Sequence, residues 1–556
     1  MKTITFYSYK GGVGRSLALA NIANKLAEFG KKVCILDFDL EAPGLHIKFG
    51  ESIEKKSEKG GIVDYIFEFI TNFNVPESII DYVTKVNILN DPHKQVDLIT
   101  AGDTTNKTYW EKLSQLNWNK LFYEEDSLGV DFFYNLKAQI EKQLIPDFLL
   151  IDSRTGITDI AGITMSILAD EVALFAANNK ENLDGIGQVL SALLIPENRI
   201  NNTPPKIKVV LSRIPFFSDP KDKPQENNIK NAAMRSLNKI LESRHIDNYK
   251  VDKLFVIHSD SELEMQECFK INLTSKKLFN STNVPITSDY IELFEALTID
   301  TMQGEEATEL DSLRKAVVHF EKALNTVEIV DKIRQLAEAT KLYPNYHQAH
   351  YYLGICYFRL EQYEKALESF ESTMRITSQF NDTITLYKAT ILSKQDSYDK
   401  AIAILKANLN KDSEQDSTYL LLGSFSSKIE KFDEAQMYYK LALEINPQNP
   451  EGWNAYANTL RLAGKYPEGF EAAYNALDLA PQHREATATL AELNASIGNL
   501  REFYKNFDLA LSLGLTNDFL QTILEEDKLY RSFFDDERFL SILDKYKMKI
   551  DWEKIK

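Results

Sequence analysis

The sequence predicts a two-part molecule: an α/β, doubly wound and mostly parallel sheet over residues 1–300, then an all-α superhelix of stacked helix pairs. Three observations lead there. The chain has 556 residues, and a single core stops growing at roughly 250–300 residues, so more than one core is required. Up to about residue 300, short apolar runs alternate with segments of helical spacing, the pattern of parallel strands joined by right-handed crossovers. Beyond about residue 310 the strand-like runs stop, and small residues recur at an interval of 34, the period of a helical solenoid.

The first strand is expected at Thr3–Ser8 and runs into "YSYKGGVGRS", residues 7–16, before a helix over Ser16–Phe29. A glycine-rich loop between a strand and a helix lets backbone N–H groups face phosphate oxygens, and the helix N-terminus adds a favourable dipole. Gly11, Gly12 and Gly14 allow close approach and positive φ, and the Ser16 hydroxyl suits Mg2+. The second strand, Lys32–Leu36, leads into "CILDFDLEAPG", so Asp37 and Asp39 stand at its carboxyl end. A third follows at Gln95–Thr100. The fourth, Phe148–Ile151, leads into "DFLLIDSRTG" and places Asp152 likewise. One carboxylate at a strand end is usually a turn or helix cap. Three at the expected strand ends fit metal binding and the orientation of an attacking water, the tasks of phosphoryl transfer beyond positioning.

Val172–Ala176 is the fifth strand; Asn178 and Asn179 after it read equally as switch-adjacent residues or as turn formers before a helix over Asp184–Leu194. Lys206–Leu211 and Leu254–Ile257 complete the set, followed by Ser212, Arg213 and Pro215 and by Ser259 and Asp260. Ligands of such sheets bind at the carboxyl ends of the strands.

On "KGGVGRS", "ILDFDLEAPG" and "FLLIDSRTG", residues 1–300 resemble the MinD/ParA group of P-loop ATPases with a deviant Walker A motif, usually written KGGVGK[ST]. The resemblance implies ATP and Mg2+ as cofactors, with Lys10, Gly11, Gly12, Val13, Gly14, Arg15, Ser16 and Leu17 around the phosphates. It implies that Lys10 reaches a partner subunit's nucleotide, hence a homodimer with ATP between two copies. Asp37 then corresponds to the switch I aspartate near Mg2+, Asp39 to the residue that helps activate water, and Asp152 to the Walker B aspartate. Ser16, Asp37 and Asp152 form the Mg2+ set, directly or through water, and Ser212, Arg213 and Pro215 stand where adenine contacts arise. Two departures matter. Arg15 replaces the usual lysine with a planar fork on a longer stem, which is not conservative at phosphate. Arg154 and Thr155 replace two prolines before Gly156, and Arg154 reads either as an arginine finger for developing phosphate charge or as a salt-bridge partner.

In the C-terminal part, Gly354, Ala389, Gly423, Ala457 and Ala491 are each followed twelve residues later by Ala366, Ala401, Ala435, Gly469 and Phe503, and four further on by Phe370, Leu405, Tyr439, Ala473 and Phe507. Pro344, Pro447 and Pro481 close three turns. This resembles the tetratricopeptide repeat, in which small residues let two antiparallel helices approach and a large one fills the gap above. The expected organisation is an ATPase domain at 1–300, a linker and degenerate first repeat at 301–346, about five repeats at 347–517, and a helical cap at 518–556. A concave repeat surface implies a protein or peptide ligand.

Composition narrows the function class. The net charge is −18, with 34 basic against 42 acidic residues in 1–300 and 30 against 40 in the remainder. Neither part carries the basic excess with which proteins neutralise nucleic-acid phosphates. No apolar run approaches the roughly 20 residues that span a bilayer, Asp535, Asp536, Glu537 and Asp544 interrupt any basic face of a C-terminal amphipathic helix, and no secretory leader is visible. Cys34, Cys268 and Cys356 show no metal spacing, as in a reducing compartment. The expectation is a cytoplasmic, ATP-dependent dimerising switch, a slow Mg2+-dependent ATPase whose repeat arm recruits a protein in a signalling or defence setting. Two alternatives stand beside it: an ATP-bound scaffold that does not hydrolyse, and a metabolic enzyme of the amidoligase or dethiobiotin synthetase type.

Overall fold

The computed structural model describes residues 1–88, 91–124, 127–195, 204–216, 223–259, 286–378, 380–409 and 415–555; Asp260 and Cys268 lie outside the described residues. Two compact units divide the chain, Met1–Phe380 and Asn381–Lys556.

The first unit is built on a nine-stranded sheet in the order β3-β4-β5-β2-β6-β1-β7-β8-β9. Its strands are β1 Lys2–Ser8, β2 Val33–Phe38, β3 Ile53–Lys55, β4 Val83–Ile88, β5 Asp91–Ile99, β6 Phe148–Ser153, β7 Glu171–Ala177, β8 Lys206–Ile214 and β9 Phe255–His258. All seven expected strands form, and their mutual pairings are parallel. β3 and β4 escape the apolar-run signal: β3 is three residues long, and β4 "VTKVNI" alternates rather than runs. These two pair antiparallel at the edge, where one polar face is tolerated. Central strands β1, β2, β6 and β7 are almost entirely buried, as continuous apolar runs covered on both faces require.

Helix α1, Arg15–Glu28, carries the chain from β1 back toward β2. Its far end meets the helices that follow the sheet: the Phe29 ring lies tilted against that of Phe294 with centroids 5.6 Å apart, and Lys31 Nζ lies 2.5 Å from a Glu306 carboxylate oxygen. Helix pairs then begin, Glu305–Leu324 with Ile329–Leu342 and His347–Arg359 with Tyr363–Ile376. His347 is buried near the Lys25–Glu28 ion pair of α1 with neither ring nitrogen hydrogen-bonded.

The second unit continues the pairs: Asn381–Lys394 with Tyr398–Ala407, Asp416–Lys428 with Phe432–Ile445, Pro450–Leu462 with Tyr466–Leu479, and Arg484–Ser496 with Leu500–Ser512. The small-then-large rule has a direct steric basis. A Cβ on Gly354 would stand 2.6 Å from the Phe370 ring, and one on Gly423 would stand 3.0 Å from that of Tyr439. Gly469, where the pattern expects alanine, faces the next pair instead, its Cβ direction meeting Leu493 at 2.9 Å. A short helix Asn517–Glu526, a 3-10 turn Lys528–Phe533 and a helix Glu537–Lys545 follow. Among the described residues no helix is long and apolar enough to cross a membrane.

Candidate functional site

The loop after β1 turns into α1 through Gly12 and Gly14, at φ 74° and 76°, a conformation that costs a side-chain-bearing residue energy and glycine little. Gly11 has no such need; a Cβ there meets nothing within 4 Å. Gly14 caps α1, and no side chain accepts the helix's first N–H groups, nor is any acidic residue in the first turn. Those donors face outward, as an anion site at a helix N-terminus requires.

Arg15 does not extend toward that anion position. Its side chain is 6% exposed, with Nη2 2.8 Å from Asp39 Oδ2 and Nε 2.5 Å from Asp152 Oδ1. Burial works against its charge, but Asp152 and Asp39 outweigh it and hold the guanidinium protonated. Beneath lies Asp37, fully buried, which the register of β2 on β6 places directly opposite Asp152. Asp37 accepts the backbone N–H groups of Asp39 and Leu45, each at 3.3 Å. Even so, burial, with Asp152 and Asp39 adding repulsion, pushes its carboxyl well above the ordinary range. Burial also raises Asp152, and Arg15 and the Ser16 hydroxyl pull it partly back.

Several buried atoms here are left without a directed partner: Arg15 Nε and Nη1, and Asp152 Oδ1. Nε and Oδ1 are close, but the N–H does not point at the oxygen. The two are held as an ion pair of poor hydrogen-bond direction, and the buried Nη1 beside them has no partner, which is costly. A phosphate oxygen for the donor and a cation for the carboxylate satisfy both, so these residues fit Mg2+ and a nucleotide. Among the described residues no cluster of three His, Cys, Asp or Glu already has metal-binding geometry; Arg15 sits between the carboxylates instead.

Gly11 to Leu17 line a cleft of about 340 Å3 together with Asp39, Glu41, Arg154 and Thr155. Val13 and Leu17 bury their side chains in the core and offer the cleft their backbone. Arg154 pairs with Glu41 at 2.5 Å. Lys10 is outside the cleft: its side chain is 49% exposed and its Nζ lies 2.8 Å from Glu181 Oε1, while Tyr9 packs where a Cβ on Gly185 would clash at 2.2 Å. Arg213, in left-handed backbone at φ 56°, brings Nη2 within 3.9 Å of a Cβ position on Gly12. Ser212 is buried, its Oγ 3.5 Å from the Ala176 carbonyl, and Pro215 is exposed beyond the end of β8. Neither lines the cleft. Asn179 is a helix cap, its side chain accepting from Asn182 N–H at 2.9 Å.

Glu41 and Glu181 escaped the sequence reading. Glu41 was detectable as the next acidic residue in "DFDLEAPG"; Glu181 gives no local signal, because its meeting with Lys10 depends on where β7 lies beside β1.

The CobQ/CobB/MinD/ParA nucleotide binding domain matches residues 4–263, and tetratricopeptide repeat families match residues 347–378, 416–449 and 438–471. The septum site-determining protein MinD of Helicobacter pylori is 28% identical over 31% of this chain and 50% of its own length. An iron-sulfur cluster carrier protein of Methanococcus maripaludis is 27% identical over 30% and 46%. The chain thus spans about half the length of these curated relatives. The structure of an ATP complex of McdA from Cyanothece aligns over 55% of this chain and 98% of its own, at 19% identity and a TM-score of 0.36.

Proposed function

For a chain that carries a CobQ/CobB/MinD/ParA nucleotide-binding domain followed by tetratricopeptide repeats, we propose the role of an ATP-dependent switch, in which two N-terminal domains pair around nucleotide and the repeat arm engages a protein. The observation that carries this reading is the buried Arg15 guanidinium between Asp39 and Asp152, with an unpartnered Nη1 under a glycine loop whose helix N–H groups are uncapped.

Bound Mg2+-ATP supplies the phosphoanhydride and the metal that screens its charge. Loop N–H groups from Gly11 to Leu17 hold phosphate oxygens. Ser16 and Asp152 would hold the metal, and Asp37 behind them would steady a water bound there. Arg15 turns its fork from carboxylate to phosphate, which frees the Asp39 carboxylate to orient water. Arg154, at the mouth of the cleft, supplies positive charge once it leaves Glu41. Arg213 closes over the loop at Gly12, with Ser212 and Pro215 on the adenine side. Lys10, exposed and outside its own cleft, is free to enter a partner's, at the cost of its Glu181 contact.

Molar mass in solution without nucleotide, with ADP and with ATP tests the pairing. Wild type is expected to double with ATP alone and Lys10→Ala to stay monomeric; a wild-type mass indifferent to ATP sinks it. The hold of Arg15 on Asp39 also favours a second reading, a scaffold that retains ATP without turnover. Phosphate release that is abolished by Asp39→Ala supports the switch, and tight ATP retention without release supports the scaffold.

A further inference from the structure

Lys428, Arg461 and Glu492 stand on the first helices of three consecutive pairs, Asp416–Lys428, Pro450–Leu462 and Arg484–Ser496. In the 34-residue register Glu492 lies four positions before Lys428 and three before Arg461, spacings that share one helix face. Asn458, in register with Glu492, accepts from Arg461 Nε and Nη2 at 3.1 and 2.8 Å. One five-residue stretch of the chain meets this whole face. Glu526 Oε2 lies 2.5 Å from Lys428 Nζ, Asp527 pairs with Arg461, and the Tyr530 hydroxyl donates to Glu492 Oε1 at 2.9 Å.

The sequence separations are 98, 66 and 38 residues, that is, about three, two and one repeats back. A helix that merely capped the last pair would touch its neighbour alone, because stacked repeats contact only adjacent repeats. Glu526 to Tyr530 instead run along the stack, in the direction of its growth. The two cations facing this segment meet its two adjacent carboxylates, and Tyr530, with no exposed surface, fills a closed site on the last pair.

We propose that this face of the repeats is a groove that recognises an acidic peptide, two adjacent carboxylates with a tyrosine three residues after the second, and that Glu526–Tyr530 occupies it as a resident ligand. The proposal rests on the reading of the arm as a protein-binding element, and names the chemistry of the partner: a segment of that pattern in another protein displaces the resident one. Lys428 is 47% exposed, so an incoming carboxylate has a place to start.

The test uses the full chain and a fluorescent peptide of residues 522–532, TILEEDKLYRS. Wild type is expected to bind it at least tenfold more weakly than Glu526→Ala/Asp527→Ala, in which the two carboxylates no longer hold the resident segment on the groove. Adding Lys428→Ala lowers the gained affinity several-fold, and a peptide with alanine in place of Glu526 and Asp527 fails to bind. Equal binding by wild type and the double variant, or none by a double variant with native circular dichroism, overturns the proposal. Hydrogen exchange on wild type decides it without any substitution: amides 526–531 exchange well ahead of those in Arg484–Ser496 if the segment is displaceable, and equally slow exchange overturns it. The nucleotide-dependent mass change is read separately, so a silent peptide with an intact ATP response discards the groove and leaves the switch standing.

Discussion

Arg15 shows why arginine and lysine are not interchangeable at this position. An ammonium is a compact point charge, whereas the guanidinium fork reaches Asp39 and Asp152 at once. Removing one member of a buried ion pair costs about 3–5 kcal/mol. Arg15→Ala is therefore expected to lose about that much in urea unfolding at pH 8, and progressively less as pH is lowered, because Asp37 and Asp152, both raised by burial, take up protons more readily than ordinary carboxyls. The sign follows from linkage. A carboxyl with a raised folded value binds more protons folded than unfolded, so its stability contribution is present at low pH and declines as pH climbs from the ordinary 3.8 through the folded value. The same substitution empties the space between the carboxylates. Nucleotide-free Arg15→Ala is expected to bind Mn2+ in electron paramagnetic resonance titrations at concentrations where wild type shows none; equal binding by both refutes the view of Arg15 as the metal's stand-in. Asp37, Asp39 and Asp152 were legible because each ends an apolar run. The destination of Arg15 was not, because it depends on the β2–β6 register, which no local spacing records.

At the level of elements, α1 joins the glycine loop to the first helix pairs. His347 packs at its far end, where burial lowers its pKa to about 4, against the pull of Glu28. The folded protein thus binds fewer protons than the unfolded chain between about pH 4 and 6.5, and stability falls as pH falls through that window. Replacing it with a group of similar size and no charge removes the effect. Between pH 8 and pH 5, His347→Leu is expected to lose about 2 kcal/mol less than wild type in denaturant melts. The helix pairs make a steric prediction. Gly354→Ala drives a methyl toward the Phe370 ring and is expected to cost about 1–3 kcal/mol, partly recovered by Phe370→Leu; an unchanged melting temperature contradicts the packing. The small-then-large periodicity made these pairs readable, since Gly354 with Phe370 and Gly423 with Tyr439 are local in sequence. β3 and β4 were not, because a three-residue strand and an alternating edge strand give no continuous apolar run.

Over the whole molecule, the two parts differ in how contacts are distributed along the chain. The sheet joins strands distant in sequence: β1 pairs with β6 and β7. The helix pairs contact their neighbours, and arrays of that kind unfold piecemeal, from whichever end is weakest. In the second unit the bridge from Glu526, Asp527 and Tyr530 to Lys428, Arg461 and Glu492 changes that expectation. It ties residues 526–530, which lie between the last pair and the helix Glu537–Lys545, to a helix three pairs earlier, so this stretch lifts only by breaking contacts with all three pairs. The stack thereby gains a latch: while the segment is seated, the pairs it spans melt together, and once a rival peptide lifts it they melt as a staircase.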